Sequence, residues 1–424
     1  MPKAIIAVFL LSLGSFAGAG LAFGTQVLLA RTLGTEDFGL FSSLLAMVVL
    51  VTPLAGFGIS QLWLKYFGEE GWEAQKYLLA SFKCLILTTL LVLLSLSIWA
   101  YFSQDLQENQ YLLFILSFYL IGQVSLELLS AKLQLEERYK ALSLWQFMAH
   151  FLRFTLVFLV FLLSSSDNLL LEFALVYAFV ALFLLFLTIR SLKKMFQGDF
   201  QLKGHQNKTL ISNKPKEEIS MQNIFSSSWA FALASFFHLI YFQSDIILVQ
   251  YIKGDNEAGL YSVAFSIMVA VYMFPAVIYQ KFLLPKLHRW AKHEPQTFKK
   301  IFQEGNKAML GLGLVAMLLL WLFGSWAVVF LFGDAYDGSI ELLGILSLSA
   351  PIIFMAFSAG AMLVTAEHIK RKVKYMGTVA LLNIVLNLWL IPDYGAIGAS
   401  IATVFSNLIL LILYYRGAKR YVFN

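Results

Sequence analysis

Charge and cysteine are both scarce in this sequence. Of its 424 residues, only 13% are charged and one is a cysteine, Cys84, whereas 59% belong to the hydrophobic set. Soluble domains carry about 25% charged residues, and no water-soluble fold of this length buries so much apolar surface. A single cysteine cannot form an internal disulfide. The composition therefore excludes a soluble enzyme, a disordered regulator and a disulfide-stabilised secreted domain, and it indicates a polytopic membrane protein.

The apolar residues form twelve continuous runs, nearly all of which reach the ~20 residues that a helix needs to cross a bilayer. Because the runs do not alternate between apolar and polar residues, a β-barrel is disfavoured. The predicted fold class is an all-α integral membrane protein with about 12 transmembrane helices. The runs lie approximately at 5–29, 39–64, 78–101, 111–131, 141–163, 169–189, 224–250, 259–280, 308–332, 341–364, 375–391 and 395–415.

Basic residues are concentrated on one side of this predicted topology. If the N-terminus is cytoplasmic, 27 of the 31 lysine and arginine residues fall in cytoplasmic loops and termini. By the positive-inside rule, both the N-terminus and the C-terminus are then predicted to be cytoplasmic. These loops account for the net charge of +6. They lie beside lipid headgroups, so the charge does not indicate a nucleic-acid partner.

The chain divides into two related halves. A basic hydrophilic stretch at 193–221 is predicted to be a cytoplasmic linker between six-helix bundles at 1–192 and 222–424. A shift of 220 residues aligns Leu33–Ser42 with Lys253–Ser262, which indicates duplication. Each half has an even number of spans, so the repeats share one orientation in the membrane. A substrate path is then expected at their pseudo-symmetric interface.

Charged side chains inside the predicted spans are few, and each costs roughly 2.5–3.5 kcal/mol at the bilayer centre on insertion scales. Arg153 lies 12 residues into its span, with His150 one turn earlier on the same helical face. We expect Arg153 to line a substrate cavity. The alternatives are a guanidinium that reaches a headgroup from the lipid side and a buried ion pair.

Asp245 follows His238 and Tyr241 by seven and four residues, so the three side chains form one polar stripe. The stripe predicts a site for a coupling ion or a polar network, and the alternative is an interfacial or ion-paired carboxylate. Asn383 occupies the position of Arg153 after a shift of 230 residues. It is therefore a candidate for ligand contact, with an amide hydrogen bond between helices as the alternative.

Of the other four charges within spans, Glu172 and Glu341 lie at span ends. The remaining two are candidates for a polar network. Lys83 is five residues into its span, where its side chain can also extend to the membrane interface. Glu127 shares a helical face with Gln123 and Ser130 near the cytoplasmic end of its span. There a hydrogen-bonded network between helices is the favoured interpretation.

The usual signatures of enzyme chemistry are missing from the sequence. It contains no P-loop, and we recognise no acid–base pair, nucleophile constellation or metal-ligand cluster. Every predicted outer loop is short, which leaves no room for an extramembrane catalytic domain. We therefore expect no catalytic residue, no metal and no cofactor.

Three segments of the sequence stand out as motifs. Leu29–Phe41 follows the first predicted helix and combines a small residue, Arg31, a Leu-Gly pair, acidic residues, an aromatic residue and glycine. In the second half, the motifs are Ser244–Ile247 with Gly259–Ser262, and Asn383–Ala399. Together they resemble the motifs of Wzx-type O-antigen and polysaccharide flippases. The resemblance covers essentially the whole chain and places it in the MATE-like multidrug/oligosaccharidyl-lipid/polysaccharide exporter superfamily.

This resemblance implies two six-helix bundles around a central cavity in the bacterial cytoplasmic (inner) membrane. It also implies alternating access that flips an undecaprenyl-diphosphate-linked oligosaccharide from the cytoplasmic to the periplasmic leaflet. The glycan is O-antigen, capsule or exopolysaccharide, and other polysaccharide assembly proteins are expected partners. Arg31 and Asp245 are the charged positions that match family motifs. Arginine pairs well with a diphosphate, and Asp245 would couple transport to protons or sodium.

Three alternatives differ in testable features. A drug/cation antiporter of the same superfamily would want a carboxylate in its first helix, and residues 5–29 contain none. A peptidoglycan-precursor flippase would have two additional helices. A membrane-embedded glycan polymerase would need a large outer loop, and the predicted topology has none.

Overall fold

The computed structural model describes residues 2–102, 110–164, 168–197, 199–202, 219–365 and 368–423. These residues are almost entirely helical, and no strand occurs among them. The all-α fold class predicted from the sequence is confirmed. The helices of the first half are α1 (Pro2–Gly56), α2 (Ile59–Glu70), α3 (Leu78–Phe102), α4 (Gln110–Leu135), α5 (Tyr139–Leu163) and α6 (Leu169–Phe196).

The second half continues in the same way, with a π-helical turn at Ile278–Leu283 between α8 and α9. Two 3₁₀ turns, Gly71–Tyr77 and Asp334–Tyr336, connect α2 to α3 and α10 to α11. The helices of this half are α7 (Met221–Lys253), α8 (Asp255–Val277), α9 (Leu284–His293), α10 (Pro295–Phe332), α11 (Gly338–Ser347), α12 (Ser349–Thr365) and α13 (Ile369–Val422).

Within the described residues, eight helical stretches are long and apolar enough to cross a membrane. The count is nine if α11 and α12, bent by 41° at Leu348, form one span. The difference from the predicted twelve arises because successive spans run together. The stretch Gly14–Phe102 contains most of the first predicted span and all of the second and third, and Lys370–Val422 contains the last two. Helical residues underlie all twelve predicted spans, and the chain is a multi-pass membrane protein.

Glycines mark the breaks within the merged helices. Gly34 interrupts α1 with φ 78° and ψ 179°, and Gly254 precedes α8 with φ 93° and ψ 178°. Only glycine adopts this backbone region readily. Gly34 and Gly254 are equivalent in the 220-residue repeat, so both copies start a helix with the same glycine conformation. Gly395 divides α13 with φ 58°.

The repeated segments also pack against each other reciprocally. A Cβ on Gly39 would lie 1.8 Å from the Asp255 carbonyl oxygen, and a Cβ on Gly259 would lie 2.0 Å from the Thr35 carbonyl oxygen. The repeat relates Gly39 to Gly259 and Thr35 to Asp255. Each glycine therefore contacts, in the other repeat, the residue that lies four positions before the equivalent glycine. Two copies related by a two-fold axis make such a contact, which supports duplication.

The chain forms two compact units. Unit 1 comprises Met1–Leu21 and Met47–Phe236, and unit 2 comprises Ala22–Ala46 and Phe237–Asn424. The middle of α1, with Gly34, therefore belongs to unit 2. The division predicted from the sequence, with bundles at 1–192 and 222–424 joined by a linker at 193–221, stays a prediction.

Small residues allow close helix packing inside each unit. In unit 1, a Cβ on Gly122 of α4 would lie 2.8 Å from the Ala181 Cα of α6. In unit 2, a Cβ on Gly313 of α10 would lie 2.4 Å from the Pro351 Cα of α12. The opposite face of α10 is apolar and exposed, as in Leu322 and Trp326. An exposed surface of this kind is suited to lipid.

Candidate functional site

A buried carboxylate lies at the centre of a polar cluster in unit 2. Asp245 on α7 is 1% exposed. Its Oδ2 accepts a hydrogen bond from the Tyr261 hydroxyl at 2.8 Å, and its Oδ1 accepts one from Asn387 Nδ2 at 2.6 Å. The Thr403 hydroxyl also donates to Oδ2. We call Asp245, Ser244, Tyr261, Asn383, Asn387 and Thr403 the Asp245 cluster.

The asparagines of the cluster come from the first segment of α13. Asn383 Oδ1 accepts a hydrogen bond from the Ser244 hydroxyl at 3.0 Å, and Asn387 Nδ2 lies 2.9 Å from the Asn383 carbonyl oxygen. Thr403 comes from the second segment, beyond the break at Gly395. The break is stabilised by Glu257 of α8, whose Oε2 accepts a hydrogen bond from the Ala396 amide at 2.7 Å.

The chemistry of the cluster is that of a negative charge among neutral groups. None of the ion pairs found among the described residues involves Asp245. Carboxylate, hydroxyl and amide oxygens are ligands for hard cations. A proton could neutralise the same carboxylate. Among the described residues, no group of three or more His, Cys, Asp or Glu side chains could hold a metal ion, and the Asp245 cluster has a single carboxylate.

The polar stripe predicted on α7 serves two different places. Asp245 belongs to the cluster, whereas His238 and Tyr241 line a cavity of about 450 Å³ in unit 2. Lys372 and Tyr414 of α13 line the same cavity, together with apolar residues of α12 and α13. The three residues of the predicted stripe therefore lie in two different environments.

Arg153 is buried within unit 1, with 6% of its surface exposed. Its guanidinium carbon lies 4.9 Å from the ring centroid of Tyr119 on α4 and 4.9 Å from that of Tyr177 on α6. No ion pair of Arg153 occurs in the part of the chain that the structure describes. One turn earlier, the His150 ring packs against Gly18 of α1, whose added Cβ would lie 3.1 Å from His150 Cδ2.

The other predicted residues are not among the hydrogen-bond or ring contacts described for these groups. Arg31 is exposed and donates a hydrogen bond to the Phe330 carbonyl oxygen near the end of α10. Glu127 accepts a hydrogen bond from the Ser60 hydroxyl of α2 at 3.2 Å. Lys83 is exposed on α3. Each charge therefore has its own local environment.

Sequence reasoning missed three groups that the structure brings to these sites. Tyr261 and Thr403 complete the Asp245 cluster from other helices, and spacing along α7 carries no signal for them. Lys372 looked like one of several basic residues in a cytoplasmic loop. Its spacing from Met376 and Val379 by four and seven residues was the available signal, because all three share one helical face.

Comparison with known proteins identifies the family. A family model described as polysaccharide biosynthesis protein matches residues 7–291 of the 424. The chain belongs to this family. A second model, that of the MatE family, matches residues 230–389.

A relative and two solved structures are similar to this polysaccharide biosynthesis family member over nearly their whole length. An uncharacterized membrane protein of Methanocaldococcus jannaschii is 25% identical over 402 residues, which cover 93% of this chain and 92% of the relative. The lipid II flippase MurJ, in an inward closed conformation, matches 97% of this chain and 87% of its own at a TM-score of 0.74 and 15% identity. An inward-facing multidrug resistance MATE family transporter of the MOP superfamily matches 95% of this chain and 94% of its own, at a TM-score of 0.65 and 12% identity. The predicted MATE-like fold is confirmed by these structures, and these neighbours are transporters and flippases rather than enzymes.

Proposed function

We propose that the protein is a flippase for an undecaprenyl-diphosphate-linked oligosaccharide. It moves this cargo from the cytoplasmic to the periplasmic leaflet of the bacterial cytoplasmic membrane by alternating access. The family match carries the proposal, because a polysaccharide biosynthesis protein made of membrane-spanning helices acts on a membrane-bound intermediate. The glycan is an O-antigen, capsule or exopolysaccharide repeat unit, and other polysaccharide assembly proteins are expected to act with it.

The Asp245 cluster supports coupling of this movement to an ion gradient. A carboxylate within membrane helices is costly unless it is neutralised. All the described hydrogen-bond partners of Asp245 are neutral groups, so they do not cancel its charge. Those partners come from α8 and both segments of α13, and Asp245 itself lies on α7, so a cation bound there would hold four helical segments together. Its release would free them to rearrange, since a ligand shifts a conformational equilibrium toward the state it binds more tightly.

Contact with the cargo is assigned to the residues singled out in the sequence. Arg153 and Arg31 are the candidates for the diphosphate, and His150 and Asn383 are candidates for polar contacts with the substrate. His238, Glu127 and Lys83 are candidates for ion coupling or for polar networks that support it. The ring centroids of Tyr119 and Tyr177 are each 4.9 Å from the Arg153 guanidinium carbon and 5.6 Å from each other, so both rings approach the guanidinium from one side.

The experiment is a leaflet-translocation assay with purified protein in liposomes that contain the lipid-linked oligosaccharide. We expect translocation by the wild type, stimulated by a sodium or proton gradient, and loss of this stimulation in Asp245→Asn. In cells, deletion of the gene should cause lipid-linked intermediates to accumulate in the inner leaflet. Absence of translocation by well-folded wild-type protein in both gradients would refute the proposal.

A drug/cation antiporter is the second candidate, because the MatE family model matches residues 230–389. It predicts drug resistance on expression in a sensitive strain and no change in surface glycan on deletion. The flippase predicts the reverse pair of results. A membrane-embedded glycan polymerase, the third candidate, would instead alter glycan chain length without stopping export of the repeat unit.

A further inference from the structure

The cavity of unit 2 is lined by polar side chains that do not belong to the Asp245 cluster. It measures about 450 Å³ and lies between α7, the π-helical turn, α12 and α13. Most of its wall is apolar, with Phe242, Ile353 and Leu410 among the lining residues. Its ionisable and phenolic groups are His238, Lys372, Tyr241, Tyr279 and Tyr414.

Lys372 is the only Lys or Arg among the lining residues identified. Its ammonium lies 5.8 Å from the ring centroid of Tyr414, and no carboxylate of the described residues comes within ion-pair distance of it. Gly360 of α12 makes this position accessible. A Cβ there would lie 2.9 Å from Tyr414 Cε2 and 3.6 Å from Lys372 Cε. The missing side chain thus leaves room for the lysine stem beside the tyrosine ring.

Tyr241 supplies a second group that suits an anion. The residue is 8% exposed, and its buried hydroxyl has no hydrogen-bond partner among the described residues. A buried polar group without a partner costs about 1–3 kcal/mol, so a ligand oxygen that accepted its hydrogen bond would recover stability. The cavity therefore combines an ammonium, an unused hydroxyl donor and apolar walls.

We propose that this cavity is a second site for the diphosphate of the lipid-linked cargo, in addition to the candidates Arg153 and Arg31, with Lys372 as its counter-ion and Tyr241 as a hydrogen-bond donor. The inference rests on the proposed function, because that function supplies the diphosphate. Phosphate oxygens accept hydrogen bonds from an ammonium and from a phenol alike. The apolar wall suits the first isoprene units, and cavities of ~300–1,000 Å³ typically hold ligands of this size. The glycan and most of the polyprenyl chain lie outside the cavity.

The binding test uses the purified full-length protein in detergent and farnesyl diphosphate as the probe, with isothermal titration calorimetry as the measurement. We expect Lys372→Gln to weaken binding at least tenfold and Tyr241→Phe to weaken it severalfold. Lys372→Arg should retain most of the affinity because the charge is kept. Lys374→Gln is the matched control, since Lys374 is an exposed lysine on the same helix, and it should bind as the wild type does.

Two further ligands distinguish the source of the anion. Farnesol lacks the charge and should bind weakly, and inorganic pyrophosphate lacks the chain and should bind more weakly than farnesyl diphosphate. Equal binding of farnesyl diphosphate by the wild type and Lys372→Gln would overturn the proposal, as would no binding by the wild type. If pyrophosphate binds as tightly as farnesyl diphosphate, the cavity is a site for a free anion and the lipid-linked assignment is wrong.

The translocation assay separates this inference from the proposed function. If Lys372→Gln has wild-type thermal stability and flips the lipid-linked oligosaccharide at the wild-type rate, the cavity does not hold the cargo and the flippase function stands. If the wild type binds farnesyl diphosphate in a Lys372-dependent manner but translocates no oligosaccharide, the anion site stands and the flippase function fails.

Discussion

The reciprocal glycine contact in unit 2 makes a sharp prediction about stability. In Gly39→Ala, the new Cβ would lie 1.8 Å from the Asp255 carbonyl oxygen and 2.7 Å from the Gly259 amide nitrogen. Non-bonded heavy atoms pack best at about 3.5 Å, so the two backbones must separate by more than an ångström. Both atoms belong to the main chain of α8, and no side-chain rotation can relieve the clash.

The net cost follows from two opposing effects. Overpacking a well-packed contact costs about 1–3 kcal/mol, and we expect the upper end here because main-chain atoms collide. Alanine regains about 1 kcal/mol over glycine within a helix. We therefore expect Gly39→Ala to lower the free energy of unfolding by about 2 kcal/mol, which corresponds to a decrease of a few degrees in apparent Tm.

The assay is thermal unfolding of the purified protein in detergent, followed by tryptophan fluorescence. Gly311→Ala on the exposed face of α10 is the matched control, because no atom lies within 4 Å of its added Cβ. It should leave Tm unchanged or raise it slightly. Gly259→Ala should be destabilising too, with its Cβ 2.0 Å from the Thr35 carbonyl oxygen. The double variant should lose less than the sum of the single losses, because the first substitution already separates the helices. A Gly39→Ala protein as stable as Gly311→Ala would refute the reasoning.

Three other predictions concern the charged groups. A saturating concentration of the coupling cation should raise the apparent Tm of the wild type, as a ligand specific to the folded state does. Asp245→Asn should abolish this increase in Tm. If the variant keeps the increase, the cation binds elsewhere. Arg153→Ala should lower the free energy of unfolding by about 2 kcal/mol, because it removes two cation–π contacts in a buried setting. Arg153→Lys should retain part of the stability that alanine loses. Normal surface glycan in the Arg153→Ala strain at normal expression would exclude a role of Arg153 in cargo binding. Glu257→Ala should lower the apparent Tm, because it removes the oxygen that accepts the hydrogen bond of the Ala396 amide. Glu257→Gln keeps an acceptor oxygen and should retain most of the stability. Equal Tm values for the two variants would contradict this account.

The fold could be predicted from local patterns because the membrane imposes them. Continuous apolar runs predicted helices, and all twelve lie on helical residues. The repeat around Gly34 and Gly254 was readable as a sequence match, and the structure adds the shared glycine conformation. The exact positions of the breaks between neighbouring helices were less predictable. Gly34 and Gly395 have non-helical backbone angles, so α1 and α13 each consist of two helical segments that meet at a kink.

The candidate site could be predicted only in part, because its partners come from distant positions. The sequence indicated Asp245 and Asn383, and the structure places both in one cluster. Tyr261 and Thr403 are 16 and 158 residues away from Asp245, and no spacing rule links them. Arg153 similarly packs beside two tyrosine rings that come from two other helices. Periodicity reveals which face of a helix a residue occupies, but not what lies opposite.

The two polar sites of unit 2 share the same pair of helices, and this has a thermodynamic consequence. On α7, Tyr241 of the cavity is one turn from Asp245 of the cluster. On α13, Lys372 and Asn383 are separated by eleven residues, or about 16 Å of helix. A rearrangement of α7 against α13 that changes one site therefore changes the other. If a cation at Asp245 and an anion at Lys372 favour different arrangements of these helices, each weakens binding of the other by the same factor, because coupling between sites is reciprocal. That antagonism is what exchange of cargo for a cation requires.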